Sequence, residues 1–256
     1  MISTDEAGAP LLSVRGLTVT FESRGRRVDA VRDMSFDLQA GEVFAVVGES
    51  GSGKSTLARS VVGMIAPKAG TIELNGESLA PSAQGRSVEQ RRKIGMVFQD
   101  SSSAFDPRFT VEQILKEPIN LLARGAANLS IKELLDLVSL PSDVLGRRAR
   151  DLSGGQRQRV GIARALAGSP SLLICDEAVS ALDVSVQAQI LNLLGDLQAE
   201  RGLSLLFITH DLSVVEYLAD HIAVMYRGDL VESGKAADVL DRPAHEYTRQ
   251  LLSAAI

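Results

Sequence analysis

The chain has few of the residues that staple or anchor a protein. Among 256 residues there is one cysteine, Cys175. A lone thiol forms no internal disulfide and no multi-cysteine metal site, and it fits a reducing compartment. Long apolar runs are also missing: Val43 to Val47, Leu172 to Cys175 and Leu205 to Ile208 fall far short of the roughly 18 residues needed to span a bilayer. The opening, Met1 to Pro10, is acidic and small rather than basic and then apolar, so no secretory signal is expected and the chain itself is expected to be cytosolic. Nor is there an excess of positive charge. The 27 Lys+Arg against 32 Asp+Glu leave a net charge of −5, which disfavours a general nucleic-acid coat. What is present, 45% hydrophobic and 23% charged residues, is ordinary for a soluble globular protein. The length allows one large domain or two small ones, each with a real core.

Short apolar runs bounded by Gly, Ser or Asp alternate with helix-period stretches, the pattern of an α/β protein with a largely parallel sheet. Val43 to Val47, Gly95 to Phe98, Leu172 to Cys175 and Leu205 to Thr209 read as buried strands. Lys54 to Val62, Gln156 to Ala167 and Val184 to Glu200 read as helices, ended by Gly63, Gly168 and Arg201-Gly202. The N-terminal third alternates polar with apolar residues over Leu12 to Phe21 and Ala30 to Leu38, and Thr71 to Leu74 precedes an Asn75-Gly76 turn. It therefore reads as an antiparallel, half-exposed β layer. From Ser101 to Arg150 strand signals stop, and helical stretches at Val111 to Leu122 and Ile131 to Val138 are expected to be broken by Pro107, Pro118 and Pro141. This segment reads as a helical insertion. After His210 come a short helix, a strand pair joined through Arg227-Gly228-Asp229, and a C-terminal helix. No internal repeat or long linker interrupts the pattern, so one cassette is the economical organisation.

Gly48-Glu49-Ser50-Gly51-Ser52-Gly53-Lys54-Ser55, followed by Thr56, satisfies G-x-x-x-x-G-K-[ST] between a buried strand and a helix. That setting makes the pattern a phosphate cradle. Three glycines let the backbone curl round an anion, and the amides of Gly51 to Ser55 can face phosphate oxygens at a partly positive helix start. Lys54 would neutralise the β- and γ-phosphates, and the Ser55 hydroxyl would ligate Mg²⁺. Far downstream, the strand Leu172 to Cys175 ends in two adjacent carboxylates, at the edge where open α/β sheets place ligands. Asp176 would hold hydrated Mg²⁺ and Glu177 would orient the attacking water; alternatively the pair merely caps a helix. Ser153 with the amides of Gly154 and Gly155 forms a second anion-binding helix start, although the chain has no second phosphate loop for it to serve. The bland alternative there is an ordinary N-cap. Arg157, Arg159 and Arg164 do not share one helical face, and solvation with local pairing is their expected state.

Leu152-Ser153-Gly154-Gly155-Gln156 before a long helix resembles the ATP-binding cassette family, and the resemblance covers nearly the whole chain. Its elements appear in family order: Phe21, Gly48 to Ser55, Gln99 after a strand, Leu152 to Gln156, Asp176 with Glu177, Ser180-Ala181-Leu182-Asp183, and His210 after Ile208-Thr209. The resemblance implies a P-loop NTPase core with a mainly parallel sheet, an N-terminal antiparallel β subdomain and an inserted α-helical subdomain. Residues 1–256 would form a single nucleotide-binding domain, with 1–100 and 151–256 as β subdomain plus core and 101–150 as the helical insertion.

It further implies an Mg²⁺-dependent ATPase. Phe21 stacks on adenine, unless it merely packs. Gly48, Ser50, Gly51, Ser52, Gly53, Lys54, Ser55 and Thr56 hold the phosphates, and Ser55, Gln99 and Asp176 serve the metal. Glu177, His210, Lys54 and Gln99 act in hydrolysis, His210 being otherwise a structural cap. Two cassettes would dimerise head to tail, so that Ser153, Gly154, Gly155 and Gln156 close on the partner's γ-phosphate. Asp183 would cross the interface, or equally cap the helix from Val184.

Val47 to Thr56, Ser180 to Leu191, Ala223 to Tyr226 and His245-Glu246-Tyr247-Thr248-Arg249 look closest to the ATPases of bacterial peptide and nickel importers. Such a chain would work at the cytoplasmic face of the inner membrane as a peripheral subunit. Its partners would be two multispanning permeases, a second ATPase that is a paralogue or a second copy, and an extracytoplasmic solute-binding protein reached through the permeases, with no nucleic acid. The alternative is a soluble cassette ATPase acting on ribosomes or DNA repair. That would call for tandem cassettes, a coiled-coil insertion or a basic tract, which this sequence does not offer. One departure from the branch is Ala178, which follows Asp176-Glu177 where proline is usual.

Overall fold

A computed structural model describes residues 9–23, 26–99, 105–122 and 129–254. The opening stretch before Ala9, and Asp100 to Ala104 at the start of the expected insertion, lie outside the described residues.

The chain begins with β1 (Leu12–Ser23), β2 (Arg26–Leu38) and β3 (Val43–Val47). Helix α1 (Lys54–Val61), β4 (Ala69–Leu74), β5 (Glu77–Ser78), α2 (Val88–Arg92) and β6 (Ile94–Val97) follow. Next come α3 (Val111–Leu122), α4 (Ile131–Leu137), α5 (Gly154–Leu166), β7 (Leu172–Asp176) and α6 (Val184–Arg201). The chain closes with β8 (Ser204–Thr209), α7 (Leu212–Leu218), β9 (His221–Tyr226), β10 (Asp229–Lys235), α8 (Ala236–Asp241) and α9 (Glu246–Ala254).

Two sheets result. The antiparallel one has the order β2-β1-β4-β5, and the other has the order β10-β9-β3-β8-β7-β6, parallel except for β10 at its edge. Every residue of β3, β7 and β8 is buried, which is why these strands read as continuous apolar runs rather than alternating ones. Period two still divides them between layers. Leu172, Ile174, Leu206 and Ile208 pack toward α1 and the antiparallel sheet, while Leu173, Cys175, Leu205 and Phe207 pack toward α5, α6 and the helical segment. The register pairs Val47 with Thr209, Asp176 with Ile208 and Val97 with Cys175, so the carboxyl ends of four strands finish together at one edge.

Within the helical segment, Thr110 and Arg148 form an antiparallel bridge that ties its two ends together. Pro118 does not break the helix as expected: α3 runs through it. The ring forgoes one amide bond, but Pro118 is buried, so tertiary burial outweighs the local penalty. The three arginines of α5 are not simply solvated either. Arg159 donates to Val138 O at the C-cap of α4, Arg157 donates to Ala149 O and Leu152 O, and Arg164 lies over the Phe105 ring. A carbonyl at a helix C-terminus, such as Val138 O, lacks an intrahelical partner and attracts a cation, which local spacing along α5 does not reveal.

Candidate active site

The turn from β3 into α1 sits on the common strand edge, and its backbone is possible only for glycine where neighbouring chain crowds it. Gly48 has φ +148° and Gly53 has φ +107°. A Cβ on Gly48 would come within 2.1 Å of Met225 O, and one on Gly53 within 2.0 Å of Ala30 O. The loop therefore lies directly against the backbone of β9 and β2. It encloses a cleft of about 550 Å³ lined by Gly48, Glu49, Ser50, Gly51, Gly53, Lys54, Ser55 and Thr56, with Gln99, Glu177 and His210 facing them and Ala30 and Leu251 at the sides.

Lys54 is 4% exposed and donates from Nζ to Gly48 O at 2.7 Å and Glu49 O at 2.8 Å. Burial pushes its pKa down, against the pull of Glu177, Asp176 and Glu49. Ser55 Oγ donates to Asp176 Oδ1 at 2.7 Å. The second oxygen, Asp176 Oδ2, is buried with no hydrogen-bond partner, and Arg59 Nε stands 3.8 Å away. Burial raises the Asp176 pKa, partly offset by the Ser55 hydrogen bond and the Arg59 charge. A hydroxyl and a carboxylate with one unsatisfied oxygen form a hard donor set that fits Mg²⁺, which takes few protein ligands and keeps several waters.

Glu177 follows at once with φ +48°, a left-handed conformation held by its own N–H donating to Ile208 O at 3.0 Å. The twist turns the carboxylate into the cleft. There Gln99 Nε2 donates to Oε2 at 2.8 Å, and His210 Nδ1 lies 3.7 Å from Oε1. Gln99 comes from the end of β6 and His210 from the end of β8, so the common strand edge brings together residues from three strands. A carboxylate hydrogen-bonded on one oxygen, with a histidine near the other and a lysine across the cleft, can orient a water for attack on a terminal phosphate.

Other expected residues lie elsewhere. Phe21 is exposed on β1 opposite Val28 and does not line the cleft. Ser52 turns inward, buried, and its carbonyl accepts from the Gly228 N–H at 2.9 Å. Ser153 caps α5: its Oγ accepts from the Gln156 N–H while Gln156 Oε1 accepts from the Ser153 N–H. Asp183 caps α6, accepting from the Val186 N–H and the Ser185 hydroxyl, and the latter contact lowers its pKa. Neither cap lines the cleft. His221 pairs with the buried Glu42 at the opposite end of the strands, and His245 Nδ1 accepts from the Tyr247 N–H.

Reading motifs did not find Arg59, Ala30, Leu251 or Tyr247. The last sits in the His245 to Arg249 stretch, which resemblance singles out and which carries no chemical pattern of its own.

This is an α/β protein of the phosphate-loop class, with a carboxylate facing the loop lysine at its sheet edge. Residues 31–180 match the family described as ABC transporter. The chain is 46% identical over 248 residues to a putative peptide import ATP-binding protein of Brucella ovis, covering 96% of this chain and 78% of that protein. It is 45% identical over 257 residues to the glutathione import ATP-binding protein GsiA of Salmonella choleraesuis, covering 96% of this chain and 41% of GsiA. In three dimensions it is similar to the ATP-binding cassette MJ0796, solved as a dimer in a post-hydrolysis state bound to ADP and Pi. That similarity has a TM-score of 0.77 at 28% identity and covers 88% of this chain and 98% of the other. The chain belongs to the ABC transporter family, as one of its ATP-hydrolysing cassettes.

Proposed function

We propose that this cassette supplies the energy for import of peptides or of similar small solutes, working as a peripheral subunit on the cytoplasmic face of the inner membrane. Supporting this are the peptide and glutathione importers among its relatives, and the lack, among the described residues, of any helix long and apolar enough to cross a membrane. Transport would then require two multispanning permeases, and through them an extracytoplasmic solute-binding protein. We read residues 1–256 as one nucleotide-binding domain in which 101–150 form the helical insertion.

In this reading Gly48 to Thr56 wrap the phosphates, Lys54 shifts from the loop carbonyls to the β- and γ-phosphates, and Phe21 meets adenine. Ser55 and Asp176, with Gln99 nearby, would hold Mg²⁺, which supplies neutralisation of charge on the phosphate oxygens. Glu177, held by Gln99 and flanked by His210, aligns a water whose oxygen forms a bond to the γ-phosphorus. The bond from that phosphorus to the bridging oxygen breaks, yielding ADP and phosphate.

Ser153 to Gln156 lie away from the cleft of their own chain, which supports a site completed by a second cassette, a copy or a paralogue, arranged head to tail. Asp183 sits beside Val184, an apolar side chain left 84% exposed, as suits a surface covered on dimerisation. The observation that carries the whole reading is the Gln99–Glu177–His210 cluster facing Lys54 across one cleft.

A Glu177→Gln chain keeps the cleft's shape and loses the carboxylate. It is expected to bind Mg-ATP, accumulate as a dimer in size-exclusion chromatography, and hydrolyse ATP at least about a hundredfold more slowly. Pulled down from native membranes with Mg-ATP, it should retain multispanning permeases. Unchanged turnover would remove Glu177 from the mechanism, and recovery of ribosomal or repair proteins without a permease would overturn the transport role.

A further inference from the structure

The C-terminal helix holds the phosphate loop from behind. The Glu49 N–H donates to the Tyr247 hydroxyl at 3.0 Å, while Gly48 O, the other end of the same peptide group, accepts from Lys54 Nζ at 2.7 Å. In a planar trans peptide the N–H and C=O point in opposite directions. One peptide plane is thus pinned on both sides, by Lys54 toward the cleft and by Tyr247 away from it.

Tyr247 is itself firmly placed. It is buried, its ring centroid lies 4.2 Å from that of Tyr226, and the Glu232 carboxylate accepts from the Ala244 and His245 N–H groups just before α9. One helical turn beyond, Leu251 lines the cleft, so the same face of α9 carries both contacts.

The plane needs holding because Gly48, at φ +148°, is the residue with the greatest freedom to let its following peptide rotate. Once phosphate draws Lys54 off the loop carbonyls, the inner restraint is gone and the Tyr247 hydroxyl is the one that remains. We propose that Tyr247 is a positioning residue for ATP binding, its hydroxyl fixing the Gly48–Glu49 peptide so that the loop keeps its phosphate-binding shape. The proposal rests on Gly48 to Thr56 being the ATP site.

Tyr247→Phe keeps the ring and its stacking on Tyr226 and removes only the hydroxyl. In the purified full chain it is expected to raise KM for ATP about fivefold, the net worth of one ordinary hydrogen bond, with kcat at saturation changed less than about twofold and a melting temperature lowered by no more than about 4 °C. Tyr217→Phe, which deletes a hydroxyl bonded to Asn192 elsewhere on the surface, should leave both constants unchanged. An unchanged KM in Tyr247→Phe, or a kcat lowered as much as KM is raised, would overturn the positioning role while leaving the ATP site intact. A wild-type chain without ATPase activity would overturn both.

Discussion

Asp176 puts the demands of the site in conflict with the stability of the fold. Its side chain is 1% exposed, Oδ1 accepts from Ser55, and Oδ2 has no hydrogen-bond partner, with the half-exposed Arg59 at 3.8 Å and the charge of Lys54 acting on it from within the site. A buried polar oxygen left unsatisfied costs about 1–3 kcal/mol, more when it carries charge. Asp176→Asn keeps the shape and the Oδ1 acceptor for Ser55 but removes the charge. Without nucleotide or metal, the asparagine chain should therefore be more stable by about 1–2 kcal/mol, after discounting the lost attraction to Arg59, since a solvated partner contributes little. For a chain of this size that corresponds to a melting temperature roughly 2–6 °C higher.

Saturating Mg-ATP should reverse the order. Ligand binding adds RT ln(1 + [L]/Kd), about 2.7 kcal/mol at a hundredfold excess over Kd, and a chain lacking the carboxylate would forgo much of it. Calorimetric melting of both chains, first in chelator and then in Mg-ATP, with ATPase activity measured in parallel, reads all of this. An asparagine chain that melts below wild type in chelator would refute the claim that the unpartnered oxygen is a cost, and one that hydrolyses ATP normally would remove Asp176 from the site.

Burial pushes the Cys175 thiol up to about 12. The native thiol should therefore resist alkylation at pH 8 until the chain is unfolded in denaturant, and labelling at the rate of a free thiol in native buffer would contradict its place inside β7. Because the folded pKa lies above the unfolded value of about 8.5, the protonated thiol favours the fold fully below pH 8.5, and this contribution is lost as pH rises toward 12. Cys175→Ala should accordingly flatten that limb of a stability-against-pH curve, and an identical limb would show that other groups govern it. Ser153→Ala removes the cap of α5 and should cost about 1 kcal/mol in chemical denaturation. In a Glu177→Gln background the same change should abolish ATP-driven dimerisation while leaving ATP binding by the monomer; a dimer that persists would mean the serine serves only its own helix.

The fold class was legible because fully buried parallel strands must be apolar throughout, and β3, β7 and β8 are. The phosphate loop was legible because its glycines and lysine lie within eight consecutive residues, a pattern that can be read without knowing what packs against it. Local rules failed where packing decided. Proline at 118 reads as a break, yet its burial keeps α3 whole, and the arginines of α5 read as solvated with local pairing although two of them donate to three backbone carbonyls, Val138 O at the end of α4 and Ala149 O and Leu152 O ahead of α5.

By itself, then, the sequence determined which chemical groups the cleft contains, since Lys54, Ser55, Asp176 and Glu177 are tied by adjacency to a loop and a strand end. Only the tertiary structure decided what those groups do to one another. The parallel register sets Gln99, Glu177 and His210 at one edge, burial leaves Asp176 Oδ2 without a partner, and a tyrosine 198 residues from Glu49 closes on the loop from behind. Hydrogen bonds and desolvation depend on distance in space, and no spacing along the chain encodes that distance directly.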